Sequence, residues 1–252
     1  MTTIYVAEEH HRLYWLWREQ DAHNLRLCHV DFHCDMRGLL IDRPAQQATL
    51  FDDRERAQVD QGNFLAHAIT EGTVSGVRWF HDPFGGRRYD HGTVRYESDL
   101  RVRLSRRRDE WRPVHFEEQD LADWRGPLPG EHLDLDWDAF ANTLYTPEHS
   151  ARLQERFLQQ PIDHKPDVVY FIYSYCSSVL DDDAFESFLE RLRLKLDADV
   201  VRLSPLPPEH STVSREKSRY QRLRARLIAP IKQPKLWLSS ALKTIDTAHD
   251  LP

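Results

Sequence analysis

Leu25-Arg26-Leu27-Cys28-His29-Val30 runs directly into Asp31-Phe32-His33-Cys34-Asp35. The first half reads as a buried strand, the second as a loop loaded with metal-ligating side chains. The arrangement recurs where His132-Leu133 leads into Asp134-Leu135-Asp136-Trp137-Asp138. Residues i, i+2 and i+4 of a strand share one face. If strand geometry persists, Asp31, His33 and Asp35 converge on one point, and so do Asp134, Asp136 and Asp138. Carboxylates crowded at a strand end repel one another unless cations neutralise them, and oxygens mixed with imidazole suit divalent ions such as Mn²⁺. Two such clusters in one chain read as a two-metal hydrolytic site. The alternative use of these acids is as solvated loop residues and helix caps. Two acids from the second strand complete a binuclear site, which leaves Asp138 for substrate binding or for capping the next turn.

Working outward, Thr3 to Ala7 reads as a first strand and His10 to Gln20 as a helix with Leu13, Leu16 and Trp17 on its apolar side. A polar loop follows the first acidic cluster. Gly62 to Glu71 then looks helical, and Gly76 to His81 is a core strand stopped by Asp82-Pro83 and Gly85-Gly86. Alternation over Thr93 to Glu97, Leu100 to Leu104 and Trp111 to Phe116 predicts a small antiparallel insertion. After the second cluster come a helix from Pro147 to Gln160, an apolar strand from Asp167 to Tyr173 and an amphipathic helix from Asp183 to Leu196. The expected fold is an α/β three-layer sandwich with a mainly parallel sheet. Ligands of such folds gather at the carboxyl ends of the strands, where both acidic clusters lie.

The 252 residues suffice for one large domain, expected over 1–204, with a basic helical extension over 205–252 packed on it. That extension carries nine Lys/Arg against four Asp/Glu, although the whole chain has a net charge of -7. The acidic balance excludes a general nucleic-acid binder, which needs a basic face. Cys28, Cys34 and Cys176 are odd in number and form no CxxC pair, which fits a reducing compartment. The start lacks a basic region followed by an apolar stretch, and no apolar run approaches about 18 residues. A soluble cytoplasmic protein without a membrane partner is expected.

Other side chains are open to two uses. Within Glu8-Glu9-His10-His11, His10 can add an imidazole ligand from a neighbouring loop or stand at the surface. His81, at a strand end, can serve as a proton shuttle, a partner of a ligand or a partly exposed histidine. Asn63 reads as a helix cap. Alternation points Cys34 away from the cluster, and Cys176 and Ser177-Ser178 lack a paired base, so a Ser or Cys hydrolase is poorly supported. No glycine-rich phosphate loop is present.

These residues resemble the arginase/deacetylase-like (ureohydrolase) superfamily, whose members carry DxHxD and DxD at strand ends. The resemblance is nearer to a largely uncharacterised branch that includes peptide arginases of ribosomal-peptide maturation. It rests on Val6 to His11, Val30 to Asp35, Asn63 before a helix, Trp79-Phe80-His81 and Leu133 to Phe140, in order along the chain. It implies two divalent ions, Mn²⁺ by expectation, with Asp31 and Asp134 bridging. His10 and Asp35 would complete one ion, and His33 and Asp136 the other. A bridging water, its pKa lowered by both cations, would attack the guanidinium carbon of arginine in a precursor peptide, giving ornithine and urea. Asp35 would orient that water and accept its proton, and His81 would be the general acid. The arginase carboxylate that holds the guanidinium has no counterpart in Tyr173-Ser174-Tyr175-Cys176. Glu9, Asp138 and the Asp181-Asp182-Asp183 run are the candidates for that substrate-binding role. The basic extension, with Trp237, would hold an acidic part of the peptide or form a solvated helix packed by Leu223, Leu227 and Ile228. Two rival readings keep the site: hydrolysis of an acylated amine, and a non-catalytic, metal-stabilised peptide-binding module.

Overall fold

A computed structural model describes residues 1–42, 45–50, 58–82, 97–104, 110–174, 178, 181–207 and 210. Its strands are β1 (Thr2–Ala7), β2 (Leu25–Val30), β3 (Leu39–Asp42), β4 (Gln47–Leu50), β5 (Val74–His81), β6 (Glu97–Arg103), β7 (Trp111–Asp120), β8 (Glu131–Asp136), β9 (Val168–Ile172) and β10 (Ala198–Arg202). Its helices are α1 (Arg12–Glu19), α2 (Phe64–Glu71), α3 (Asp138–Ala141), α4 (Pro147–Gln159) and α5 (Asp182–Leu196).

The strands form one sheet in the order β10-β1-β9-β8-β2-β5-β7-β6-β4-β3. Neighbours from β10 through β7 are parallel throughout, whereas β6 runs antiparallel to β7 and β3 antiparallel to β4. The fold is therefore α/β with a mostly parallel sheet. The expected antiparallel insertion is partly corrected. Leu100 to Leu104 and Trp111 to Phe116 do pair antiparallel, but β7 also lies parallel against β5 and belongs to the main sheet. Thr93 to Tyr96 lie outside the described residues. The polar loop expected after the first cluster contains β3 and β4, and β10 adds an edge strand beside β1. Their short, charge-flanked sequences do not display the alternation that marks the other strands.

Burial explains the central strands. Val169, Tyr170, Phe171 and Ile172 of β9 are all buried, as the near-continuous apolar run of a doubly covered parallel strand requires. One face packs against α3, α4 and α5 through Trp137, Phe140, Phe157, Phe185 and Phe188. Phe171 stacks on Phe185 at 4.5 Å, and Trp137 meets Phe185 edge-on at 5.6 Å. Such aromatic pairs contribute about 0.5–1.5 kcal/mol beyond their burial. The other face packs against α1 and α2 through Leu13, Trp17, Phe64 and Ile69. No described helix is long and apolar enough to cross a membrane.

Helix ends follow local chemistry. Pro147 opens α4, and the Thr146 hydroxyl accepts from His149 N at 3.2 Å. Thr146→Ala is expected to cost about 0.5–2 kcal/mol, read from the urea unfolding midpoint. Gly72 closes α2 at φ +82°, a left-handed conformation that glycine adopts without a Cβ penalty. Asn63 precedes α2 as expected but makes no side-chain cap there. Its Oδ1 accepts from Asp60 N and its Nδ2 donates to Gln58 O, tying down the preceding turn. The basic stretches from Ser214 to Ile228 and from Lys235 to Lys243, with Trp237, lie outside the described residues.

Candidate metal centre

Three loops at the carboxyl edge of the parallel strands meet above β2 and β8. His10 comes from the turn between β1 and α1, Asp31 to Asp35 follow β2, and Asp136 and Asp138 close β8 and open α3. Strand geometry does not persist through the first cluster, because β2 ends at Val30 and Asp35 adopts φ +52°. The left-handed turn at Asp35 brings its carboxylate back over Asp31, in place of the expected alternation.

His10 Nδ1 lies 3.1 Å from Asp31 Oδ2, 2.9 Å from Asp35 Oδ2 and 3.0 Å from Asp136 Oδ2. These four residues are buried, and their ligand atoms all lie within 4.8 Å of one another. A second group adjoins it. His33 Nδ1 stands 2.9 Å from Asp138 Oδ2 and 3.8 Å from Asp31 Oδ1, so Asp31 is common to both groups. The His33 side chain is 36% exposed, against 0% for Asp31 and Asp138, and it marks the open side.

The donors are held in place by surrounding groups. Trp79 Nε1 donates to the Asp31 carbonyl at 3.0 Å, and Phe32 N donates to Asp138 Oδ1 at 3.2 Å. The Ser174 hydroxyl donates to Asp136 Oδ2 at 2.6 Å from a left-handed backbone at φ +51°. A non-glycine residue in that region is uncommon, and such strain clusters where geometry serves a site.

Asp134 does not join the ligand groups. It lies two residues deeper along β8 than Asp136, about 6–7 Å at strand spacing, and reaches the opposite side of the His10 ring. His10 Nε2 contacts Asp134 Oδ1 at 3.0 Å, and His29 Nδ1 contacts Asp134 Oδ2 at 2.8 Å. Metal-ligating histidines characteristically give their second nitrogen to such a carboxylate. The expected pair Asp134 and Asp136 is therefore replaced by Asp136 and Asp138. Asp138, expected on the substrate side, faces His33.

Burial and like charge push the Asp31 carboxyl well above its ordinary range, with Asp35, Asp138 and Asp136 as the repelling neighbours. Asp136 is pushed up to about 6 by burial and by Asp138. Burial opposes protonation of His33, but Asp138, Asp35 and Asp136 lift its pKa to about 9. Burial opposes ionisation of Asp134 too, yet His10 and His29 outweigh it and hold that carboxyl below its ordinary range. The pattern is that of acids crowded beyond what they tolerate without a cation. His10 Nδ1 and Asp31 Oδ2 are buried without a hydrogen bond although they face each other. Each of these two groups joins carboxylate oxygens to one imidazole, a mixture that fits divalent ions, and His10, His29 and Asp31 form a third cluster with two imidazoles.

The other expected site residues are less engaged. His81 is buried, donates from Nε2 to Glu118 Oε1 at 3.0 Å, and stacks on Trp79 at 4.2 Å. It stands outside both ligand groups. Glu9 Oε2 is 3.4 Å from His11 Nε2, likewise outside them. Asp181 caps α5 by accepting from Ala184 N at 3.0 Å, and Asp182 accepts from the Tyr173 hydroxyl at 2.6 Å. Those bonds give Asp181 and Asp182 structural partners. His29 went unnoticed in the sequence, although its position two residues before Asp31 puts both on one strand face. Cys28 and Cys34 are buried thiols, and Cys176 lies outside the described residues.

No protein-family model matches the chain, and no curated protein matches it significantly.

Proposed function

We propose that the protein is a binuclear metal-dependent hydrolase of the arginase type, on an arginase/deacetylase-like fold, acting on arginine side chains of a ribosomally made precursor peptide. The observation that carries this reading is the pairing of His10, Asp31, Asp35 and Asp136 in one buried group with Asp31, His33 and Asp138 in the next. Two divalent ions, Mn²⁺ by expectation, would supply Lewis acidity and a hydroxide-like nucleophile at neutral pH. Asp31 belongs to both groups, His10, Asp35 and Asp136 to the inner one, and His33 and Asp138 to the outer one.

The reaction adds water to the guanidinium carbon, breaks the bond from that carbon to the side-chain nitrogen, and protonates that nitrogen, leaving ornithine and urea. Asp35 lies at the margin of the buried group and is positioned to take the proton of the water. For His81 to return a proton to the departing amine, Nδ1 is the nitrogen to use, because Nε2 faces Glu118. The exposed edge of His33 gives the substrate its approach. Glu9, in the loop that carries His10, and Asp138 and Asp181 are the carboxylates proposed to hold the guanidinium.

One feature favours a second reading, hydrolysis of an acylated amine on the same centre. Ser174 occupies the end of β9 and gives its hydroxyl to Asp136, so no acid stands there to receive a guanidinium. Incubation of Mn²⁺-loaded protein with arginine peptides and with free arginine separates the two. Loss of the amidine portion from the peptide, with stoichiometric urea, is the expected result; deacylation of an acetyl-lysine peptide without urea would move the assignment to the amide hydrolase.

A further inference from the structure

We infer that His29 is a ligand of the ion shared by His10 and Asp31, an inference that rests on the metal-centre reading above. Asp134 is flanked by two imidazoles, with His10 Nε2 at 3.0 Å and His29 Nδ1 at 2.8 Å. An ionised carboxylate only accepts hydrogen bonds, so each ring turns an N–H toward Asp134. The remaining nitrogens, His10 Nδ1 and His29 Nε2, are the ones turned to the acidic cluster. Both face Asp31 Oδ2, at 3.1 and 3.5 Å.

None of these three atoms makes a hydrogen bond, and all three residues are fully buried. Two ring nitrogens and an anionic oxygen gathered in a buried space without hydrogen bonds are placed as donors around a cation. Their ligand atoms lie within 4.8 Å of one another. The rival arrangement, an imidazolium donating from His29 Nε2 to Asp31, would close to about 2.7–2.9 Å with an aligned hydrogen bond. The observed 3.5 Å contact has neither property.

His29 stands opposite Asp134 across β2 and β8, and Asp31 continues the same face of its strand. The donor set at this ion therefore gains a second imidazole. Nitrogen donors shift preference from Mn²⁺ toward later divalent metals such as Co²⁺ and Zn²⁺. The inner ion is accordingly the more nitrogen-seeking of the two.

Pulsed EPR on a His33→Ala parent loaded with one Mn²⁺ per chain counts the imidazole nitrogens bound to the inner ion. Two directly coordinated nitrogens are expected in the parent and one after the further change His29→Gln. One nitrogen in the parent would overturn the role of His29 while leaving the metal centre intact. No bound ion, in the parent or in the unaltered protein, would overturn the metal-centre reading itself. The parent count decides even if the double variant fails to fold.

Discussion

Asp31→Asn is expected to leave the protein with no bound ion and no detectable hydrolysis. Asp31 faces both His10 and His33, so its loss removes a donor from each group at once. Asparagine keeps the shape and can still accept from His33 N, a bond of 2.7 Å in the parent, so the fold should persist. Elemental analysis after dialysis reads the metal, and circular dichroism confirms the fold. Asp134→Asn gives the matching contrast. It removes the partner of the outer nitrogen of His10 rather than a ligand, and is expected to weaken metal affinity by about 10–100-fold. If Asp134→Asn emptied the centre as completely as Asp31→Asn, Asp134 would have to be restored to the ligand set. A fully active, metal-free Asp31→Asn protein would end the hydrolase proposal.

The largest stability effect is expected at the opposite end of the sheet. Arg78 donates from Nε to Glu131 Oε1 at 3.0 Å and from Nη2 to Glu131 Oε2 at 2.6 Å, and Nη2 also reaches the Gly126 carbonyl at 3.2 Å. Both side chains are buried, and Leu128 N completes the carboxylate at 2.7 Å. Arg78→Met leaves Glu131 with a buried charge and without its main counterion, and is expected to cost about 3–5 kcal/mol, measured by urea denaturation near neutral pH. Burial raises the Glu131 pKa, but Arg78 and Leu128 N outweigh it, so the folded-state value lies below the ordinary one. Its stabilisation is therefore complete above the unfolded pKa of about 4.3 and is lost as pH falls through the lower folded value. The difference between parent and variant should shrink in that acidic range; a difference constant with pH would remove Glu131 from the explanation.

Apolar runs made the central strands legible, because a doubly covered sheet writes continuous stretches such as Val168 to Ile172 into the sequence, and apolar helical periodicity did the same for the long helices. The short strands β3, β4 and β10 were not legible, since the outermost two, β3 and β10, need less apolar burial and β4 is only four residues long between its neighbours. The residue types of the centre were readable, and its arrangement only partly so. Periodicity two treats Asp134, Asp136 and Asp138 as equivalents, yet β8 stops at Asp136 and α3 begins at Asp138. The strand end, invisible in spacing alone, decides which acids reach the cluster and which one lies beneath it. His29 was hidden by its surroundings: inside an apolar strand a histidine looks like filler until its neighbour across the sheet is known to be Asp134.

That neighbour relation also bears on how the chain finds its topology. His29 and Asp134 are direct partners in the ladder between β2 and β8. Sliding β8 by one residue would turn Asp134 and Asp136 into the aromatic layer beneath α4 and α5, and would set Leu135 against an imidazole with nothing to bond. Each mistaken pairing would move two buried acids into an apolar layer away from their histidine partners, whereas apolar strands alone would lose little by the slip. The polar layer under the centre thus sets the native register of β2 and β8 apart from its neighbours by matching His29 to Asp134.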